Sequence, residues 1–130
     1  VAAAKAALDW TVDYVKEREA FGKPISSFQN TKFELADVAT EVDVSQPFID
    51  QCVTKLNVGE LSPADAAKAK LWGSGLQKRT TDRCLQLFGG YGYMTEYPIA
   101  QAYVDARICT IYGGTSEIMK TIISKDVLAR

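Results

Sequence analysis

Apolar residues recur at steps of three and four through most of this chain, the spacing that lines one face of an α-helix. Val1, Ala4, Leu8, Val12 and Val15 mark the first such face, and Lys5 and Asp9 pair one turn apart on the other side. Phe21-Gly22-Lys23-Pro24 closes that helix, because glycine suits a helix stop and proline restricts the residue before it. Ser26 and Gln29 have capping-box spacing. A long second helix is predicted over about residues 27–57, with Phe33, Ala36, Ala39, Val42 and Ile49 near one face. Pro47 falls inside it and predicts either a kink around Asp43–Gln46 or two shorter helices meeting there.

Ser62-Pro63-Ala64-Asp65 is the clearest helix start: a cap, a proline at the first helical position and an acid at the third. The third helix is predicted to reach about Leu87, with Ala66, Ala69, Trp72, Leu76, Thr80, Cys84 and Leu87 in one stripe. Ala67, Gly73 and Gly75 let neighbouring helices approach it closely. After Gly92 the chain reads as irregular to Pro98, with a short helix over about Ile99–Ile108. A last helix is predicted from Thr115–Ser116 to about Leu128, with Ile118, Ile122 and Val127 inward. No segment alternates convincingly as a strand. The fold class that follows is all-α: an antiparallel four-helix bundle with a short accessory helix, one domain over residues 1–130.

Composition narrows the function classes. The 130 residues are 47% hydrophobic and 24% charged, ordinary for a globular domain with one core. Fifteen Lys and Arg against 16 Asp and Glu give a net charge of -1, which argues against a general nucleic-acid or membrane-surface role. No apolar run reaches transmembrane length, no secretory pattern is present, and Val1 is not a natural start, so the chain reads as a piece of a longer protein. Cys52, Cys84 and Cys109 are widely spaced and suit reduced thiols in a reducing compartment. The chain has no histidine, which removes the usual metal ligand and the commonest general base.

Two glycine-marked segments, Gln86–Met94 and Ile111–Glu117, interrupt the helical pattern. Each can bring backbone N–H groups against a ligand, or simply stop one helix and start the next. Arg18, at the end of the first helix, has a planar fork suited to phosphate; its plain alternative is a solvated cation favourable with the helix dipole. Gln86 with Gly89 and Gly90 offers an amide and open backbone, or merely a glycine cap; the segment is not GxGxxG and no strand precedes it. Thr115-Ser116-Glu117 offers hydroxyls and helix N–H groups to a ribityl or phosphate group, or is only an N-cap.

Three blocks, in order and spanning nearly the whole chain, resemble the acyl-CoA dehydrogenase family. They are Tyr14–Ile25 with Phe28-Gln29; Gln86-x-x-Gly89-Gly90-x-Gly92-Tyr93-x-x-Glu96 continuing to Asp105; and Ile111-Tyr-Gly-Gly-Thr-Ser-Glu117. The resemblance implies the C-terminal helical domain of a three-domain flavoenzyme, whose N-terminal helical and middle β domains lie outside this sequence. That family removes the α-proton of an acyl-CoA thioester with a carboxylate base. The β-hydrogen leaves as hydride to flavin N5, giving a trans-2-enoyl-CoA. It implies FAD as cofactor, an electron-transferring flavoprotein as acceptor, a homotetramer, and a cytoplasmic or mitochondrial-matrix location, with no nucleic acid or membrane as partner. By position, Arg18 matches the arginine that meets the FAD pyrophosphate from a neighbouring subunit. Phe21, Phe28, Gln29, Gln86, Gly89 and Gly90 match FAD contacts on that side. Thr115 and Glu117 match FAD contacts within the subunit's own site, and Tyr112 and Gly114 border the acyl-CoA thioester.

Two departures stand out. Many members carry the catalytic Glu at the position of Gly113, and glycine accepts no proton, so no catalytic residue is assigned in this segment. A subset resembling long-chain and isovaleryl-type enzymes places the base on the helix within which this chain begins, upstream of Val1; the other account is a subunit without a base. Gln101 stands where the family usually has Lys or Arg, with Arg107 nearby either to compensate or to serve as a structural ion-pair partner. Glu117, at a helix N-terminus, is a poor base because the dipole favours its anion, and Glu96 reads as a solvated or capping residue. The isolated chain is expected to be inactive and, through apolar surface that its absent neighbours would cover, to self-associate.

Overall fold

The computed structural model describes residues 1–129 and orders five helices: α1 (Ala2–Glu17), α2 (Gln29–Asn57), α3 (Pro63–Phe88), α4 (Pro98–Ile108) and α5 (Ser116–Leu128). All-α architecture therefore holds, and α3 is its axis, packed against each of the other four. That position explains the small residues along it. Ala64, Ala67, Ser74, Leu76, Thr80, Thr81, Cys84 and Phe88 are all buried, on more than one side of the helix. The core joins Leu76, Cys84 and Phe88 to Ala4 and Ala7 of α1, Val38 and Val42 of α2, and Ile99 of α4. The buried hydroxyls of Thr11 and Thr81 are satisfied inside their own helices: Thr11 donates to the Ala7 carbonyl at 2.6 Å and Thr81 to that of Gln77 at 2.9 Å.

Local chemistry sets most helix ends. Ser62 caps α3 by accepting from the Asp65 N–H at 3.0 Å, with Pro63 first in the helix. Thr115 caps α5 by accepting from the Ile118 N–H at 3.4 Å. At α2 the expected capping box does not form. Ser26 and Ser27 lie in a short 3-10 turn, Phe28 occupies the cap position, and the Ser27 hydroxyl bonds the Pro24 carbonyl instead. Pro47 does not split α2, which runs unbroken from Gln29 to Asn57 with the proline on its exposed side.

A hairpin between α1 and α2 lies outside the strandless expectation. Strands β1 (Glu19–Ala20) and β2 (Lys23–Pro24) pair antiparallel, with Ala20 opposite Lys23. Phe21 and Gly22 form its two-residue turn, both at positive φ (55° and 77°). This is the turn type that matches strand twist, and alternation has no part in specifying it.

Several side chains expected inward face out. Phe33 is 60% exposed, Ile118 53% and Val127 52%; Thr31, Val38, Val42, Ser45 and Cys52 form the buried face of α2, and Met119 the buried point of α5. Trp72 lies half out of the surface, where its indole N–H donates to the Ser45 hydroxyl at 2.6 Å.

Charges fasten α2 to α3. Arg83 bonds Glu34 at 2.7 Å, Asp37 at 3.1 Å and Glu41 at 3.1 Å, and Arg79 reaches Glu41 at 3.0 Å. Asp65 bonds both Lys68 at 3.0 Å and Lys55 at 3.2 Å, and these two cations hold its carboxyl below the usual range. A depressed folded-state pKa contributes stability above the unfolded pKa and loses it as pH falls through the folded one. The melting temperature is therefore expected to drop as pH goes below about 4. Asp65→Asn should flatten that decline in a series of thermal melts; an unchanged slope would show that these pairs contribute nothing.

Candidate functional site

Most of the residues singled out in the sequence gather into two patches at separate levels of α3. The first lies at its C-terminal end. Arg18 follows α1, where its N–H donates to the Tyr14 carbonyl at 2.8 Å and its own carbonyl accepts from the Ile25 N–H at 2.8 Å, fixing the exit into the hairpin. Gln86, Gly89 and Gly90 come from the end of α3 and the 3-10 turn that follows (Gly89–Tyr93). Together with Tyr14, Ala20, Ile25, Phe88, Tyr91 and Met94, these residues line an open groove of about 620 Å³.

Aromatic rings build the groove wall. Tyr14 stacks on Phe88 with centroids 4.1 Å apart, and Tyr97 packs edge-on to both at 6.0 and 5.9 Å. The Tyr14 hydroxyl donates to the Phe88 carbonyl at 3.3 Å. Burial pushes the Tyr14 phenol above its ordinary pKa although Arg18 opposes the shift, so Tyr14 stays a neutral donor. Arg18 lies over the Tyr91 ring, its guanidinium carbon 5.1 Å from the centroid. Among the described residues no carboxylate pairs with it. An unpaired guanidinium facing the exposed backbone of Gly89 and Gly90 is a set of donors without an acceptor, the chemistry that suits a phosphate-bearing ligand.

Phe21, Phe28 and Gln29 do not line this groove. They sit on the hairpin and at the start of α2, where Phe21 is 96% exposed and meets Phe28 edge-on at 6.2 Å. Lys23 covers the Phe28 ring, with Nζ 4.4 Å from the centroid. A bulky side chain at positive φ is an unfavourable conformation, and at Phe21 it aims an aromatic ring away from its own domain.

The second patch is the connection between α4 and α5, holding Tyr112, Gly113, Gly114, Thr115 and Glu117. Gly113 and Gly114 both have positive φ (63° and 103°). A Cβ at Gly114 would come within 2.6 Å of the Met119 methyl, whereas one at Gly113 meets nothing. The Tyr112 hydroxyl lies 3.3 Å from the Cys109 sulfur, and that thiol pushes the phenol up. The carboxyl of Glu117 is held below its usual range first by its own backbone N–H and then by the Thr115 hydroxyl, with Lys120 and Lys70 adding to the effect. Glu117 is therefore an anion suited to accepting hydrogen bonds and ill-suited to taking protons at neutral pH. The Lys70 ammonium on α3 donates to the Gly114 carbonyl.

Lys70 and Gly89 are 19 positions apart on one helix, so the two patches are separated by roughly 28 Å along α3 at about 1.5 Å per residue. Gln101 and Arg107 join neither patch. Gln101 bonds Asp105 at 2.7 Å on the surface of α4, and Arg107 bonds the Thr110 hydroxyl at 3.0 Å and has no ion-pair partner among the described residues. Glu96 is exposed in the turn before α4. Spacing did not single out Tyr14 or Tyr91, although Tyr14 lies on the last turn of α1, four residues before Arg18. Lys70 gave no sequence signal, because its partner is 44 residues away. Among the described residues no cluster of three or more His, Cys, Asp or Glu is placed to hold a metal ion, and no helix is long and apolar enough to cross a membrane.

Comparison with known proteins gives a consistent answer. The profile of a family described as "Acyl-CoA dehydrogenase, C-terminal domain" matches residues 1–128. The mitochondrial long-chain specific acyl-CoA dehydrogenase of Sus scrofa is 44% identical over 128 residues, 98% of this chain and 30% of that protein. The crystal structure of an acyl-CoA dehydrogenase from Geobacillus kaustophilus superposes with a TM-score of 0.92 at 42% identity, covering 96% of this chain and 33% of that one. Butyryl-CoA dehydrogenase from Megasphaera elsdenii gives a TM-score of 0.92 at 38% identity, over 97% and 33% of the two chains. The chain thus spans about a third of the length of these relatives.

Proposed function

The chain belongs to the acyl-CoA dehydrogenase family as its C-terminal domain, and we propose that it supplies two edges of an FAD site in a longer protein that oxidises an acyl-CoA thioester to the trans-2-enoyl-CoA. The unpaired Arg18 guanidinium, set over Tyr91 beside the open Gly89–Gly90 backbone, is the observation that carries this reading. Its fork and the nearby N–H groups fit a pyrophosphate, the Gln86 amide fits a polar ring edge, and exposed Phe21 and Phe28 supply apolar area. At the other patch the Thr115 hydroxyl and the Glu117 anion fit hydroxyl-bearing parts of the cofactor, and Tyr112 and Gly114 border the thioester. FAD, when bound, accepts the hydride removed from the β-carbon.

The separation of the patches supports a site shared between copies, with Arg18, Phe21, Phe28, Gln29, Gln86, Gly89 and Gly90 facing a neighbour's FAD and Thr115 and Glu117 facing the chain's own. The outward Phe21 on its strained turn suits that arrangement, and the exposed apolar side chains of α2 and α5 suit a homotetramer. The proton-accepting carboxylate is assigned upstream of Val1, since Gly113 stands where many relatives carry it and Glu117 is held ionised. An electron-transferring flavoprotein is the proposed acceptor. The cytoplasm, or the mitochondrial matrix in a eukaryote, is the proposed compartment, supported by three unpaired thiols and a mitochondrial relative.

Anaerobic titration of the full-length protein with acyl-CoA tests this. Bound yellow flavin that bleaches on titration is expected. Flavin that stays oxidised would favour a non-catalytic cofactor-binding subunit, and a protein that takes up no FAD would sink the reading altogether.

A further inference from the structure

Lys70 is the one hydrogen-bonding tie, among the described residues, that reaches the α4–α5 connection from outside α4, α5 and the connection itself. Every other hydrogen bond of residues 109–115 is local: Tyr112 and Ile111 donate to the Ile108 carbonyl, Ser116 to that of Thr110, and Cys109 pairs with Tyr112. The connection contains two consecutive glycines at positive φ, the residues with the most backbone freedom to lose. Lys70 comes from the third turn of the central helix and is only partly exposed. No carboxylate forms an ion pair with it among the described residues, so its charge is spent on the Gly114 carbonyl and on the field at Glu117.

We propose that Lys70 is a positioning residue: it fixes the Gly114 peptide, and through it the aim of Tyr112 toward substrate and of Thr115 and Glu117 toward cofactor. This rests on the proposed FAD and acyl-CoA site, and it adds a group from a different helix that touches neither ligand. The Lys70 ammonium locks the Gly113-Gly114 hinge in one conformation, so the N-terminus of α5 meets its ligand already formed. Removing it frees the hinge without enlarging the core, because the side chain lies at the edge of α3 facing the connection.

The test uses Lys70→Met and Lys70→Arg in the full-length protein. In the flavin-free form, amide hydrogen exchange at residues 113–116 is expected to quicken about tenfold in K70M, as for a lost charged hydrogen bond, while α4 amides are unchanged. In the flavin-loaded form, KM for acyl-CoA should rise roughly tenfold with a smaller change in kcat, and K70R should recover most of both effects. Should K70M fail to fold, Lys70→Gln, which keeps a donor without the charge, serves the same comparison. Unchanged exchange at 113–116, or a uniform loss of protection across all helices, would overturn the proposal. Wild-type protein that binds no flavin would instead defeat the functional reading beneath it, and the exchange measurement separates the two.

Discussion

Replacing Arg18 with alanine in the full-length protein is expected to weaken FAD binding by about 10- to 100-fold, the effect of losing one or two charge-assisted hydrogen bonds. The fold should barely register the change. Arg18 is exposed and has no ion-pair partner among the described residues, and its contact over Tyr91 is worth about 0.5–1 kcal/mol. Arg18→Lys keeps the charge and loses the fork, so it should fall between the two. Titration of flavin-free protein with FAD, followed by absorbance, reads the series. An alanine variant that holds FAD as tightly as the parent would remove Arg18 from the site.

Gly92→Ala is expected to cost stability, on the order of 1–3 kcal/mol or more, by overpacking. A Cβ there would sit 2.6 Å from the Leu85 carbonyl oxygen, 3.0 Å from the Leu85 side chain and 3.1 Å from Phe88 Cβ. Leu85 is within α3, so its carbonyl cannot retreat without distorting the helix; the 3-10 turn must lift away instead. That turn carries Gly89, Gly90 and Tyr91, so the groove should open and the stack of Tyr14 on Phe88 loosen along with the lost stability. Gly90→Ala is the control, because its Cβ would meet nothing. Thermal melts of the two variants should separate clearly, and equal melting temperatures would mean that the turn relaxes freely.

What could be read from the sequence was whatever local chemistry decides. Ser62-Pro63 and Thr115-Ser116 start helices because hydroxyl caps and a helical proline act within a few residues, and the structure starts them there. The inward faces were harder. In α3 the single stripe through Ala66, Ala69 and Trp72 misplaced part of the covered face: Ala66 and Trp72 are exposed, whereas Ala64, Ala67, Ser74 and Thr81 are buried. In α2, Phe33 is apolar at helical spacing yet faces out, because periodicity marks apolar positions without showing which of them the fold covers. The Phe21-Gly22 hairpin depends on backbone torsion and left no alternation to detect. At the site, Arg18, Gln86, Gly89 and Gly90 were recognisable by residue type and do converge. Phe21 and Gln29 were placed beside them in sequence, but the hairpin turns them elsewhere. Long-range partners such as Lys70 to Gly114 have no local spacing and emerge only when the helices pack.

The central placement of α3 has a thermodynamic corollary. Since each surrounding helix covers a part of it, none can peel away without wetting the same rod, and melting should be all-or-none. A ligand engaging either end therefore protects the opposite end as well, by mass action alone and with no signal passing between them.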